Sequence, residues 1–355
     1  MILRASYIKK VFEFGFDART SRGAMRDKTS WFIKLWNQDD PSRFGIGESG
    51  PLPGLSVDAD PLFESRLETL VNDINQSHQQ LPLAELLKHP SLRSPAILFG
   101  VETAYNDLIT GGARKIFDND FLKGKRIPIN GLVWMASADN MVKQVNEKIA
   151  AGFRCIKLKV GALDFEQECE VLEFMRKHFG NEITIRLDAN GAFTRDNAIE
   201  KLERLSKYNI HSIEQPLKKS DPGLKEICER SPIAIALDEE LIGIDDPEEK
   251  NSLLCDTNPA YIILKPTLHG GMRGCREWIS IAEQLKAGWW ITSALESNIG
   301  LNAICQFTAQ YPVVLPQGLG TAMIYKNNIP SPLTVADGHI FYDATMSWQV
   351  DGFLK

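Results

Sequence analysis

Between Cys155 and Lys265, five short apolar stretches each end in an ionisable residue set on the face opposite the aliphatic side chains. Cys155-Ile156-Lys157-Leu158-Lys159 alternates, so a strand's period of two puts Lys157 and Lys159 on one face and Ile156 and Leu158 on the other. Ile183 to Asp188, His211 to Glu214, Ile233 to Asp238 and Tyr261 to Lys265 repeat the pattern and end in Asp188, Glu214, Asp238 and Lys265. From Lys159 onward these charges recur every 24 to 29 residues, the length of one strand, one helix and two short loops. The stretches between them carry helical stripes. Phe165, Cys169, Leu172, Met175 and Phe179 line one face of residues 164–179, and Ala198, Ile199, Leu202, Leu205 and Tyr208 one face of 195–208. The repetition predicts an α/β fold, a parallel barrel sheathed by helices.

A single K-x-K is most simply an edge strand with solvated lysines. Charges at five consecutive strand ends, all in one phase, need another reason, because unpaired buried charge costs several kcal/mol or more. A parallel barrel collects its chemistry at the C-terminal ends of its strands, which is where these residues fall.

Asp188, Glu214 and Asp238 offer only oxygen ligands, with no Cys or His close by in sequence. Such a hard set suits Mg²⁺, with Mn²⁺ as a possible substitute. A divalent ion beside a substrate carboxylate offsets the second negative charge that forms when the α-proton leaves and the acid becomes an enediolate. Lys159 is the expected base, with Lys157 as the neighbouring charge that lowers its pKa. Lys265, on a strand across the barrel, serves as a second acid/base or as a fixed cation.

At these residues the chain resembles the enolase superfamily, known for a Lys or His base beside Mg²⁺. Its K-x-K on the second barrel strand, with a lysine on the sixth, is similar to the muconate-lactonizing-enzyme subgroup. The His-Asp dyad of the mandelate racemase subgroup is not visible. Further segments resemble the o-succinylbenzoate synthase family of menaquinone biosynthesis: Gly47 to Ser56 (GESGPLPGLS), Ile129 to Val133, Ser293 to Leu301 and Gly318 to Thr321.

The resemblance implies a TIM-type (β/α)7β barrel over residues 128–320, with an α+β capping domain built from residues 1–127 and completed by the tail, 321–355. It implies metal ligands at Asp188, Glu214 and Asp238, acid/base lysines at Lys159 and Lys265, and supporting roles for Asn190 and Glu239. The reaction it implies is syn-dehydration of 2-succinyl-6-hydroxy-2,4-cyclohexadiene-1-carboxylate to 2-succinylbenzoate. Lys159 takes the α-proton and then helps the hydroxyl leave as water from the same face, while Lys265 stays charged against the ring. Relatives that racemise N-acylamino acids or epimerise dipeptides use both lysines as bases, and a metal-binding relative without catalysis is a third reading.

In the N-terminal region, Ala5–Phe16 and Ser30–Trp36 alternate like an antiparallel pair. The connector between them holds Arg19, Arg22, Gly23 and Arg26. It is either a solvated loop or a lid over the barrel mouth whose Arg19 and Arg26 meet a substrate carboxylate. Residues 60–78 and 94–110 read as helices of the cap. Leu132–Ala136 is the expected first barrel strand, Trp289–Ser293 the seventh and Val313–Leu315 the eighth, with Ser293 placed to hold the substrate's tail. His211 and His269 lie near strand ends without a ligand-spaced partner and read as packing residues. Gly270-Gly271 reads as a helix-opening loop, since no phosphate-binding pattern surrounds it.

At 355 residues the chain allows two domains. Its net charge of −6, without a basic run, argues against nucleic acid as a partner and leaves a small-molecule carboxylate to be drawn by local lysines and metal. Six cysteines without a C-x-x-C read as buried thiols of a reducing cytoplasm. No apolar run is long enough to span a bilayer, and nothing near the N-terminus reads as a signal peptide.

Overall fold

A computed structural model describes residues 1–20 and 23–350, without the side chains of 17–20 and 24. The chain opens with an antiparallel sheet of β1 (Leu3–Thr20), β2 (Gly23–Asn37) and β3 (Asp40–Ser49). Three helices follow, α1 (Phe63–Gln76), the short α2 (Leu83–Leu86) and α3 (Pro95–Ile109). Phe63, Leu67, Leu70, Val71 and Ile74 form the buried stripe of α1 and share a core with Ile33 and Leu35 of β2 and Ile97, Val101 and Ala104 of α3. Two glycines let β3 lie directly on α3. A Cβ at Gly45 would come within 1.9 Å of the Ala104 carbonyl oxygen, and one at Gly47 within 1.8 Å of that of Gly100.

The hairpin is longer than its alternating segments predict. Beyond a register shift between Glu13 and Ala18, the strands pair on through Ala18↔Met25 and Thr20↔Gly23, so most of the expected connector is strand. Ser21 and Arg22 lie outside the described residues.

After β4 (Ile127–Pro128), strand and helix alternate: β5 (Gly131–Val133), α4 (Ala138–Ala150), β6 (Cys155–Lys159), α5 (Phe165–Phe179), β7 (Thr184–Asp188), α6 (Arg195–Ser206) and β8 (Ser212–Glu214). The series continues with α7 (Leu224–Arg230), β9 (Ile235–Leu237), α8 (Pro247–Thr257), β10 (Tyr261–Leu264), α9 (Gly271–Gln284), β11 (Gly288–Ile291) and α10 (Asn298–Thr308). β5 to β11 form one parallel sheet in sequence order. Their aliphatic faces, including Ile156, Leu158, Ile185, Leu187, Leu237 and Leu264, are buried with the apolar stripes of the helices. Local chemistry sets the helix starts. The Asp164 side chain caps α5 by accepting from the Glu166 N–H, and Thr194 and Asn197 form a capping box on α6.

Two expected strands fall elsewhere. β5 stops at Val133 because the Gln144 side chain takes both the N–H (2.9 Å) and the carbonyl (3.0 Å) of Trp134. Val313–Leu315 forms no strand: Pro312 and Pro316, which lack N–H groups, flank it, and Val314 is exposed. Gln317 and Gly318 close the barrel instead, through isolated parallel bridges to Ile129 and Thr292.

The tail divides its contacts. Ile324 and Lys326 pair with Gly15 and Glu13 of the cap hairpin, whereas β12 (Leu333–Ala336) and β13 (His339–Tyr342) join β4 and bury Leu333, Ile340 and Tyr342 in the barrel core. No helix among the described residues is long and apolar enough to cross a membrane.

Candidate active site

Outward burial of the aliphatic faces turns the other face of each strand into the barrel. The register aligns Lys159 with Asp188 and Asp188 with Glu214, bringing the charges of three strands to one level. Lys159 Nζ donates to Asp188 Oδ2 at 2.5 Å and to Asn190 Oδ1 at 2.7 Å. Lys157 Nζ contacts the same Asp188 oxygen at 2.9 Å and donates to Glu214 Oε2. On the opposite wall, four strands away, Lys265 Nζ donates to both oxygens of Asp238, at 2.6 Å to Oδ1. Asn190 links the two sides by donating to Glu239 Oε1 at 2.9 Å.

Electrostatics couple these groups. Burial disfavours the Asp188 carboxylate, but Lys157 and Lys159 outweigh it and hold its pKa below the usual range. Asp238 is depressed likewise, with Lys265 and Lys157 overcoming burial. Glu214 is pushed up to about 8 by burial, with Asp188 and Asp238 adding repulsion and Lys157 pulling against them. Burial also works against the Lys157 ammonium, yet Asp188, Glu214 and Asp238 raise its pKa. Lys157 thus bridges the carboxylates of Asp188 and Glu214.

Among the described residues no three His, Cys, Asp or Glu side chains are gathered as metal ligands. The acids turn to the lysines. Their chemistry nonetheless fits a hard divalent cation: they are all oxygen donors on three adjacent strand ends, and each repels the others. Glu214 Oε1 is moreover buried without a hydrogen-bond partner, a carboxylate oxygen that lacks the cation or donor it demands.

The strand ends open into a cavity of about 1360 Å³, bounded by the cap hairpin at Phe16, Met25 and Thr29 and by the Pro51–Leu55 loop. Lys157, Lys159, Asp188, Asn190, Asp238, Lys265 and Ser293 line it, while Glu214 is fully buried and outside the lining. Ser293 Oγ is 2.7 Å from Thr321 Oγ1 and accepts from the Leu295 N–H. Arg26 is exposed and stands outside the lining, and the Arg19 side chain lies outside the described residues. His269 is buried, with its pKa pushed down to about 3 by burial, and accepts the Lys265 N–H at 2.8 Å. His211 stacks on Tyr261 at the other end of the barrel. Gly270 and Gly271 open α9.

Four residues of consequence were not singled out from sequence. Lys28 of β2 lines the cavity although it is only 3% exposed. Arg186, one strand pleat below Asp188, is wholly buried over the Trp290 ring at 3.9 Å and donates to the Pro316 carbonyl. Gln215, at φ +39°, accepts from the Asp238 and Glu240 N–H groups and so braces the turn after β9. Glu48 of β3 accepts from Ser30 Oγ, from the N–H and hydroxyl of Ser297 and from the Gly300 N–H, joining cap to barrel. Period-two alternation signalled Arg186, which shares its phase with Asp188, and Glu48 lies in the 47–56 segment that carries the resemblance; nothing local signalled Lys28 or Gln215.

Comparison with known proteins gives the class first. Residues 140–345 match the family model described as enolase C-terminal domain-like. The chain is 40% identical to o-succinylbenzoate synthase of Desulfotalea psychrophila, covering 95% of this chain and 98% of that one. The crystal structure of MenC from that organism superposes with a TM-score of 0.85 at 38% identity, covering 96% of this chain and all of the other. A dipeptide epimerase from Enterococcus faecalis, crystallised with Mg and L-Leu-L-Tyr, shares the fold at 20% identity, with a TM-score of 0.82 over 96% of this chain and 97% of its own. The chain belongs to the enolase superfamily and, within it, to the o-succinylbenzoate synthase family.

Proposed function

We propose that the chain is a hydro-lyase that converts 2-succinyl-6-hydroxy-2,4-cyclohexadiene-1-carboxylate to 2-succinylbenzoate in the cytoplasm, as a step of menaquinone biosynthesis. The observation that carries this reading is 40% identity across 95% of the chain to a synthase of that name, with a lysine–carboxylate constellation at one barrel mouth. Asp188, Glu214 and Asp238 would hold Mg²⁺, which would supply positive charge against the substrate carboxylate as its α-proton is removed. Lys159 accepts that proton at Nζ, and the resulting ammonium returns it to the departing hydroxyl, so that water leaves from the same face and the ring becomes aromatic. Asn190 holds Lys159 at 2.7 Å and fixes the direction of Nζ. Lys265 stays protonated beside Asp238 and offers its charge to the opposite face of the ring.

Turnover of the diene by purified protein with Mg²⁺ tests the reading, with EDTA-treated and Lys159→Ala protein as controls. Metal-dependent loss of the diene, absent in the variant, supports it; no turnover by the metal-loaded protein sinks it. One observation favours a second reading: Lys159 and Lys265 face each other across the barrel, as two bases of a racemase or epimerase must. Lys265→Arg separates the two. A fixed cation is partly replaced by Arg, whereas a two-base enzyme loses exchange on one enantiomer.

A further inference from the structure

We propose that Lys28, with the bare backbone of Gly50 beside it, is the seat of the substrate's second carboxylate, the one at the end of the succinyl tail. This rests on the reading above, in which substrate and product each carry two carboxylates. One belongs at the strand ends; the other needs a cation within the same cavity.

Among the described residues six lysines line that cavity. Lys157, Lys159 and Lys265 already hold carboxylates. Lys143 is exposed on α4, and Lys148 is half-buried with Nζ over the Phe153 ring at 5.5 Å. Lys28 differs from all five, being buried yet without an ion-pair partner among the described residues. Its Nζ donates to the carbonyls of Ala294 (3.2 Å) and Leu295 (2.9 Å), which leaves one of three N–H groups unassigned.

The nearby acids do not answer that charge directly. Glu48 is taken up by Ser30, Ser297 and Gly300, and Glu296 by the Thr267 hydroxyl and the Ala294 N–H. Burial pulls the Lys28 pKa down, and Glu48 and Glu296 draw it back. A buried ammonium facing a cavity with carbonyls alone is costly unless an anion completes its shell.

Gly50 supplies the room. A Cβ there would come within 2.8 Å of Lys28 Nζ and 2.7 Å of Ser30 Oγ, so any other residue would crowd the ammonium and the hydroxyl together. The seat adjoins Ser293, on the turn after β11 whose carbonyls hold Lys28.

Calorimetric titration of the Mg²⁺-loaded full chain with 2-succinylbenzoate and with 2-butyrylbenzoate tests the assignment. The second ligand has the same four-carbon acyl chain and no terminal carboxylate. The native chain is expected to favour the dicarboxylate by on the order of tenfold. Lys28→Met should erase that preference and leave 2-butyrylbenzoate affinity unchanged, Lys28→Arg should keep most of it, and Gly50→Ala should reduce it. A Lys28→Met protein that still prefers the dicarboxylate, or that weakens for both ligands equally, overturns the assignment and leaves Lys28 a clamp on the 294–295 turn. Should Lys28→Met not fold, Gly50→Ala decides: an undiminished preference there overturns it as well. A native chain that discriminates between the ligands but turns over no diene sinks the proposed reaction and leaves the seat standing; one that turns over diene without discriminating sinks the seat alone.

Discussion

Buried carboxylates are treated in opposite ways at the barrel mouth and at the seam between cap and barrel. At the seam, Glu48 accepts four hydrogen bonds, and Glu102 of α3 accepts the Met272 and Arg273 N–H groups at the start of α9. At the mouth, Asp188, Glu214 and Asp238 crowd together, share three lysines and leave Glu214 Oε1 with no partner. A saturated buried acid stabilises the fold by removing orphan donors, whereas an undersupplied one keeps its capacity for a ligand. The difference separates acids that join cap to barrel from the acids proposed as metal ligands, although all are hidden from solvent.

The largest expected effect is at the mouth. Lys159→Ala should lower kcat by about 10³-fold or more while leaving the urea midpoint close to native, since general acid–base groups contribute on that scale. A large loss of stability would break the contrast, because Lys159 would then be structural. Glu48→Ala should do the reverse: by orphaning donors of Ser30, Ser297 and Gly300 it should cost roughly 3 to 5 kcal/mol in urea unfolding, with kcat per folded molecule little changed.

Smaller effects sharpen the comparison. Burial pushes the Glu214 carboxyl up to about 8, so a proton competes with a bound cation below that pH. Mg²⁺ or Mn²⁺ affinity, measured between pH 6 and 9, should therefore tighten by up to about tenfold per unit as pH rises and level off above 8. A flat profile would count against Glu214 as a ligand.

Glu102 gives the smallest effect. Burial raises its pKa to about 7 from 4.5, so the folded chain binds the proton more tightly than the unfolded one. Its contribution is whole below pH 4.5 and declines as pH rises towards 7, by at most on the order of 3 kcal/mol. Glu102→Gln should flatten that slope in urea unfolding; an unchanged slope would place the titration elsewhere.

The alternation of Lys157 and Lys159, the terminal places of Asp188, Glu214, Asp238 and Lys265, and their spacing were enough to read the barrel and its charged mouth, because strand period and strand–helix length are local quantities. Local rules also located α5 and α6, whose stripes and caps lie within their own residues. They failed where partners came from afar. The closing strand was misplaced because Gln317 and Gly318 are recruited by Ile129 and Thr292, and the hairpin connector was overdrawn because strand pairing continues past a register shift.

Lys28 read as one more charge of the polar connector, and Glu48 only as part of the 47–56 segment that carries the family resemblance. Only folding sets Lys28 against the carbonyls of residues 294 and 295, and Glu48 against the start of α10, some 250 to 270 positions along the chain. The sequence by itself determined which residue types meet at the barrel mouth, since each strand carries its own charge at its own end. Tertiary structure alone decided which acids are satisfied and which are left wanting, because satisfaction depends on donors that other segments bring.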